Sequence, residues 1–276
     1  MIDQRLRFRY HCLRRDVSNF SLLKHRDYTG FLVTMHQSGT HWLKHMLATA
    51  IARQFGLPPP RYSSANEIIG GVGDPFDHPG VPHVVCTHSI PHLLVGVPAV
   101  RRWIRFPRYV VLVRDIRATL VANYEKWKDR YGCAFSEFLR GDVRGRRFNS
   151  DIWWCIRFCN AWGAVAARFP RETLVVKYED LRRDALGGLE RINDFWALGL
   201  SPDSLIEGVA ESGKDQMARK RDPATPGLTV VRDDARDFSL WFAPEDAVFV
   251  GETCGRFLRH RFGYDYDGAG APASSA

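Results

Sequence analysis

Four short runs of apolar, β-branched and aromatic residues punctuate the chain, at Gly30–His36, His83–Thr87, Arg108–Val113 and Thr173–Lys177. Each is short and near-continuously apolar, the pattern of a strand buried on both faces. Between and after them the spacing changes. Trp42, Leu43, Met46, Leu47, Ala50 and Ile51 recur as the stripe of an amphipathic helix, which Gly56 and Pro58-Pro59-Pro60 terminate. Helical patterns also cover about Ile116–Arg130, Ser150–Phe169 and Ala185–Leu198, the last with Leu189, Ile192, Phe195 and Trp196 on its apolar side. Strands alternating with helices predict an α/β fold with a central parallel β-sheet flanked by helices.

Two stretches break this rhythm. Pro58–Pro82, with Gly70, Gly71 and Gly73, and Arg219–Asp237 are rich in glycine, proline or charge, and both are long enough to act as lids over a site. The resulting division is a basic N-terminal arm over 1–29, a single domain over 30–266 and a small, polar, flexible tail over 267–276.

Composition narrows the class. Of 276 residues, 45% are hydrophobic and 25% charged, which excludes a disordered or collagen-like chain. The six cysteines are scattered with no C-x-x-C pair, as expected of reduced thiols in an intracellular protein; Cys155 and Cys159 fall in the apolar run Trp153–Trp162 and read as packing residues. The absence of an apolar leader at the N-terminus and of any run of about 18 apolar residues gives the expectation of a cytoplasmic protein. The 39 Lys+Arg exceed the 31 Asp+Glu by 8, a hint of an anionic partner that does not choose among nucleic acid, membrane surface and phosphorylated small molecule. Much of that excess lies in residues 1–26, where Arg5, Arg7, Arg9, Arg14, Arg15, Lys24 and Arg26 face only Asp3 and Asp16. That arm reads as a solvated basic face or as a peripheral membrane contact.

In an open α/β sheet, ligands bind where a strand's carboxyl end leads into a helix N-terminus. The loop Ser38–His41 occupies that position, and the backbone N–H groups and dipole of the following helix favour an anion there. A Walker A loop would place a lysine directly after its last glycine; here Gly39 is followed by Thr40, which weakens ATPase, GTPase and kinase readings.

At this loop the chain resembles the PAPS-dependent sulfotransferase family, where PAPS is 3′-phosphoadenosine 5′-phosphosulfate. The family's T-Y-P-K-S-G-T-T-W loop appears as Thr34-Met-His-Gln-Ser-Gly-Thr-His-Trp42. Four further segments follow in the family's order. Val85-Cys-Thr-His-Ser-Ile-Pro91 is similar to its K-T-H-L-P strand end, and Tyr109–Asp115, running on to Asn123-Tyr124, to its 3′-phosphate segment. Val176-Lys-Tyr-Glu-Asp-Leu181 is similar to its Y-E-D-[LM], and Phe242-Ala-Pro-Glu245 to its F-x-P-E.

The resemblance implies a P-loop-like fold and a single activity: transfer of a sulfuryl group from PAPS to a hydroxyl or amine of a small-molecule, lipid or carbohydrate acceptor. It implies no metal and no nucleic acid. Ser38, Gly39, Thr40 and His41 would hold the 5′-phosphosulfate, Trp42 and Tyr178 the adenine, Arg114 and Arg232 the 3′-phosphate, and His88 would be the general base. An imidazole with an ordinary pKa near 6.5 suits that last role.

Three departures accompany it. Gln37 stands at the family's catalytic lysine, a donor without charge, with His36, His41 and Lys44 the cations nearest in sequence. Ala122 replaces a phosphate-binding serine, leaving Asn123 as a substitute donor. The C-terminal nucleotide loop keeps only Arg232, with Arg219-Lys220-Arg221 as a rival cluster. His41 and His45, four apart on one helix, lack a third metal ligand. Two other functions stay open: a PAPS- or PAP-binding protein with reduced turnover, and a P-loop nucleotide kinase.

Overall fold

The computed structural model describes residues 3–18, 28–145, 147–224 and 238–267. The chain opens with a helix not predicted from sequence, α1 (Gln4–Ser18). The alternation then follows as β1 (Gly30–Thr34), α2 (Thr40–Phe55), β2 (Ile69–Gly70), β3 (Val84–Thr87), α3 (Pro98–Arg101), β4 (Tyr109–Val113), α4 (Ile116–Tyr131), α5 (Phe135–Arg140), α6 (Ile152–Arg168) and β5 (Thr173–Lys177). The remaining helices are α7 (Tyr178–Arg183), α8 (Ala185–Trp196), α9 (Pro202–Ala210), α10 (Lys214–Arg219) and α11 (Pro244–Phe257). The four predicted strands and four predicted helices all form, within a few residues of the expected bounds. Gly56 ends α2 in the left-handed conformation (φ 67°), as its position after the apolar stripe implied.

The strands make one parallel sheet in the order β2-β3-β1-β4-β5. Its two faces are both covered, because successive side chains of a strand point to opposite sides. Phe31, Val33, Val85, Tyr109 and Val111 join the core under α4 and α6, whereas Leu32, Val84, Val110, Leu112 and Val176 join the one under α2 and α8. Cys155 and Cys159 are buried in the first of these cores, and all six cysteines are free thiols.

Chain order runs from β1 outward to β3, then crosses to β4 on the other side of β1. That reversal opens a crevice at the carboxyl end of β1, with the ends of β3 and β4 flanking it.

Two sequence expectations change. The stretch 58–82 is not an untethered lid: it contributes β2, and Ser63 N–H donates to the Lys220 carbonyl at 2.8 Å. The described part of the N-terminal arm is a layer of the domain, since Phe8 of α1 is 7% exposed and packs against Trp153 and Phe257 with ring centroids 5.6 and 5.3 Å away. The helix escaped prediction because its arginines mask the period and a single aromatic anchors it.

Candidate functional site

Met35–Gly39 connects β1 to α2 through a tight turn. Gln37 sits at φ 58° and Gly39 at φ 89°, both in the left-handed region. For Gln37 this conformation is sparsely populated and costs on the order of 1–3 kcal/mol, a reserve found mostly at functional sites. Gly39 is constrained doubly, because a Cβ there would lie 2.6 Å from the Tyr178 ring. Gly39→Ala is expected to displace the loop and weaken binding of PAP (3′-phosphoadenosine 5′-phosphate) about tenfold, the equivalent of about 1.4 kcal/mol, with little change in thermal stability. Calorimetric titration with PAP beside a melting curve checks this; unchanged affinity would show the loop tolerates the clash.

The turn is held from within. Ser38 is fully buried and its hydroxyl donates to the Met35 carbonyl at 2.7 Å, so its side chain builds the turn and does not point at a ligand. Thr40 Oγ1 donates to Thr34 Oγ1 at 2.9 Å. What remains for an anion is backbone: the N–H groups of Gly39, Thr40 and His41 at the start of the 16-residue α2.

His88 follows β3 directly, and the register pairs Val33 with Thr87, which brings the imidazole beside Thr34. Its Nδ1 lies 3.0 Å from the Thr34 carbonyl oxygen and 2.9 Å from Thr34 Oγ1. A carbonyl can only accept, so this pattern assigns the proton to Nδ1 and leaves Nε2 with a lone pair. Burial lowers the His88 pKa, the Thr34 carbonyl opposes that, and Lys126 and Lys44 lower it further. The ring is stacked on His36, with centroids 4.1 Å apart and planes at 24°.

Neither loop histidine is a cation. Burial, then His88 and Lys126, brings His36 down to about 3; burial, then Lys44 and Lys126, brings His41 to about 4 against a bond to the Ser63 backbone. Lys44, 6% exposed, is held by Asn66 and by the Ser64 carbonyl. Two lysines bring charge to the site: Lys44 lowers His41 and His88, and Lys126 on α4 lowers His36, His41 and His88. Sequence reasoning missed Lys126 because it lies far along the chain and in no motif; only the packing of α4 over β1 reveals it.

Arg114 follows β4 and Tyr178 follows β5. The guanidinium donates through Nη1 to the Gln37 carbonyl at 2.8 Å and lies 4.5 Å from the centre of the Tyr178 ring. Its Nε is buried without a partner, as is Nδ1 of His41. The orphaned Arg114 Nε–H beside a backbone cradle fits a multiply charged ligand such as PAPS. Trp42 meets Tyr178 edge-on at 6.1 Å and anchors its indole N–H on the Ser212 carbonyl at 3.0 Å, which leaves the two rings flanking the loop.

The other expected ligands fare differently. Asn123 is 1% exposed and its amide donates to the Ser150 carbonyl at 2.7 Å and to Tyr131, so it offers no donor to a nucleotide. Arg232 lies outside the described residues. His45 Nδ1 is 2.6 Å from the Ser212 hydroxyl, whereas His41 bonds to the Ser63 backbone. Among the described residues no group of three or more His, Cys, Asp or Glu converges.

A cavity of about 680 Å³ opens beside His88, with Trp127, Tyr131, Phe148 and Trp154 on its walls. Trp153, an aromatic candidate from sequence, packs instead into the core with Phe8 and Phe257. Among the described residues no helix is long and apolar enough to cross a membrane.

Known proteins share part of this sequence and this fold. In sequence, the chain is 28% identical over 142 residues to Sulfotransferase 2A6 of Mus musculus, covering 45% of this chain and 47% of that protein. Sulfotransferase 2A1 of Mus musculus is 29% identical over 140 residues, covering 45% and 46%. The matched stretch thus spans about half the length of these curated relatives. In fold, the chain is similar to mouse sulfotransferase SULT7A1 complexed with PAP (TM-score 0.60, 17% identity, 92% of this chain and 90% of that one). It is similar also to retinol dehydratase in complex with androsterone and inactive cofactor PAP (TM-score 0.63, 16% identity, 92% and 88%). The family model for the sulfotransferase domain matches residues 79–226, more than half of the sequence, and the chain therefore belongs to the sulfotransferase domain family.

Proposed function

We propose that this chain transfers a sulfuryl group from PAPS to a hydroxyl or amine of an acceptor held in the cavity beside His88. The observation that carries this reading is the fixed tautomer of His88: Nδ1 is engaged by Thr34 while the ring borders the cavity, so Nε2 is the atom left to take the acceptor's proton. Burial keeps the imidazole neutral, which is the form a base needs.

PAPS, when bound, supplies the activated sulfuryl group. The N–H groups of Gly39, Thr40 and His41 would hold its 5′ end, Arg114 its 3′-phosphate, and Trp42 with Tyr178 its adenine. Gln37 offers an amide donor beside the transferring group but no charge. Removing one preorganised donor of this kind costs about 2.7–4 kcal/mol of barrier, so another group is needed. Among the described residues, Lys126 is the cation that lowers the pKa of all three site histidines, and it is the group we assign to this task.

Lys126→Met is expected to lower kcat about tenfold or more, Gln37→Lys alone to change it little, and the double variant to recover most of the loss. Steady-state kinetics on the four proteins test this; additive effects would show that the two positions do not share a role.

The enzyme reading itself is tested with radiolabelled PAPS against phenol, steroid, sugar and anionic acceptors. Tight PAP binding without turnover over the whole panel would replace it by a PAP-binding protein. Family membership favours sulfuryl transfer over a nucleotide kinase. The basic arm keeps its membrane-surface reading, supported by the exposed stripe Leu6, Tyr10 and Leu13 on α1 beside exposed Arg5, Arg7, Arg9 and Arg14.

A further inference from the structure

Among the described residues, the walls of the cavity beside His88 carry four guanidinium groups and no carboxylate. Arg15 comes from α1, Arg130 from α4, Arg147 from the loop after α5 and Arg157 from α6. An apolar acceptor would gain nothing from such a wall, and its desolvation of the arginines would be unfavourable.

Arg15 and Arg157 are the inner pair of the four, and Arg130 and Arg147 are exposed at the rim. Arg157 is 9% exposed, unusual for an arginine. Arg15 donates to the Gly145 carbonyl at 2.6 Å, tying the N-terminal helix to the rim. Arg130 lies 5.9 Å from the Trp127 ring centre. Burial and the neighbouring charge of Arg157 both lower the Arg15 pKa, so folding places two like charges close together.

Two carboxylates stand near Arg15 among the described residues. Asp142 and Asp151 favour the Arg15 charge, but Asp151 spends its oxygens capping α6, accepting from Trp154 N–H at 2.9 Å and Asp142 N–H at 2.7 Å. Burial raises its own pKa to about 6. Arg147 pairs with Glu137 at 2.5 Å, with both side chains about half exposed. Cations gathered from three helices and a loop around one concave, partly desolvated surface focus a positive field into it.

We infer that the acceptor is an anion: a hydroxyl compound bearing a carboxylate, phosphate or sulfate that Arg15, Arg130, Arg147 and Arg157 clamp while its hydroxyl reaches Nε2 of His88. The inference rests on the sulfotransferase reading and names the substrate class of that site. Guanidinium forks match all three oxyanions, and Trp127, Tyr131 and Phe148 provide flat surfaces for the body of the molecule. A volume of about 680 Å³ suits a molecule of drug size or a single glycoside.

The test uses matched probes on the PAP-loaded protein. 3-(4-Hydroxyphenyl)propanoate is compared with 3-(4-hydroxyphenyl)propanol, and glucose 6-phosphate with glucose; vesicles containing phosphatidylinositol against soluble inositol 1-phosphate separate a lipid headgroup from a free phosphate. At least one anionic probe is expected to bind at least about tenfold tighter than its neutral twin and to be sulfated with a correspondingly higher kcat/KM. The double variant Arg15→Gln with Arg147→Gln is expected to reduce that preference severalfold while PAP affinity stays as in the parent. Equal binding of both members of every pair, or a preference that survives in that double variant, overturns the inference and leaves the sulfotransferase reading standing. Failure of the parent protein to bind PAP at all overturns both.

Discussion

Replacing His88 by alanine is expected to lower kcat by about 10²–10⁴-fold while PAP affinity remains unchanged, because the imidazole faces the acceptor cavity and a positioned base contributes on that scale. The two readouts separate chemistry from folding. A variant that loses transfer but still binds PAP has an intact loop, whereas one that loses both has lost the crevice.

The pH profile gives an independent signature. The active form of His88 is neutral, so kcat/KM falls as pH drops through its pKa in the free enzyme. Burial places that pKa below the ordinary value of 6.5, with Lys126 and Lys44 lowering it and the Thr34 carbonyl opposing them. The acid limb is therefore expected below pH 6.5, and Lys126→Met is expected to move it to higher pH by removing a repelling charge. Normal turnover in His88→Ala would dismiss the base assignment outright.

Arg114→Ala is expected to weaken PAP binding by about 1.5–3 kcal/mol, or roughly 10- to 150-fold, the range for hydrogen bonds to a charged group. Two effects combine at this residue. The phosphate loses its guanidinium, and the Gln37 carbonyl loses the Nη1 donor that pins the strained turn at 2.8 Å. Arg114→Lys is expected to recover little, since an ammonium cannot bond Gln37, lie flat over Tyr178 and reach a phosphate at once. Calorimetric titration with PAP decides it; a change below about threefold would mean the 3′-phosphate is held elsewhere.

Much of this site is legible along the chain because each of its parts follows a strand. His88 follows Thr87, Arg114 follows Val113 and Tyr178 follows Lys177, the last residues of β3, β4 and β5. In a parallel sheet every strand's carboxyl end lies on one edge, so residues placed there in sequence meet in space whatever the length of the crossovers. The same logic fails for Asn123. It lies two turns into α4, where a one-residue change of facing decides between crevice and core, and the fold turns it to Ser150 and Tyr131. It also failed for α1, whose arginines gave no period to read.

By itself the sequence determined the alternation of buried strands and amphipathic helices, and it put the proposed anion cradle at Ser38–His41 and the proposed base His88 at strand ends, since strand ends and helix starts are local and periodic. Only the tertiary structure decided which charges gather around the site. His36 and His41, adjacent to the loop, are neutral through burial, while Lys126, Arg15 and Arg157 arrive from three different helices. Burial and electrostatic proximity are properties of packing between distant segments, and no spacing along the chain encodes them.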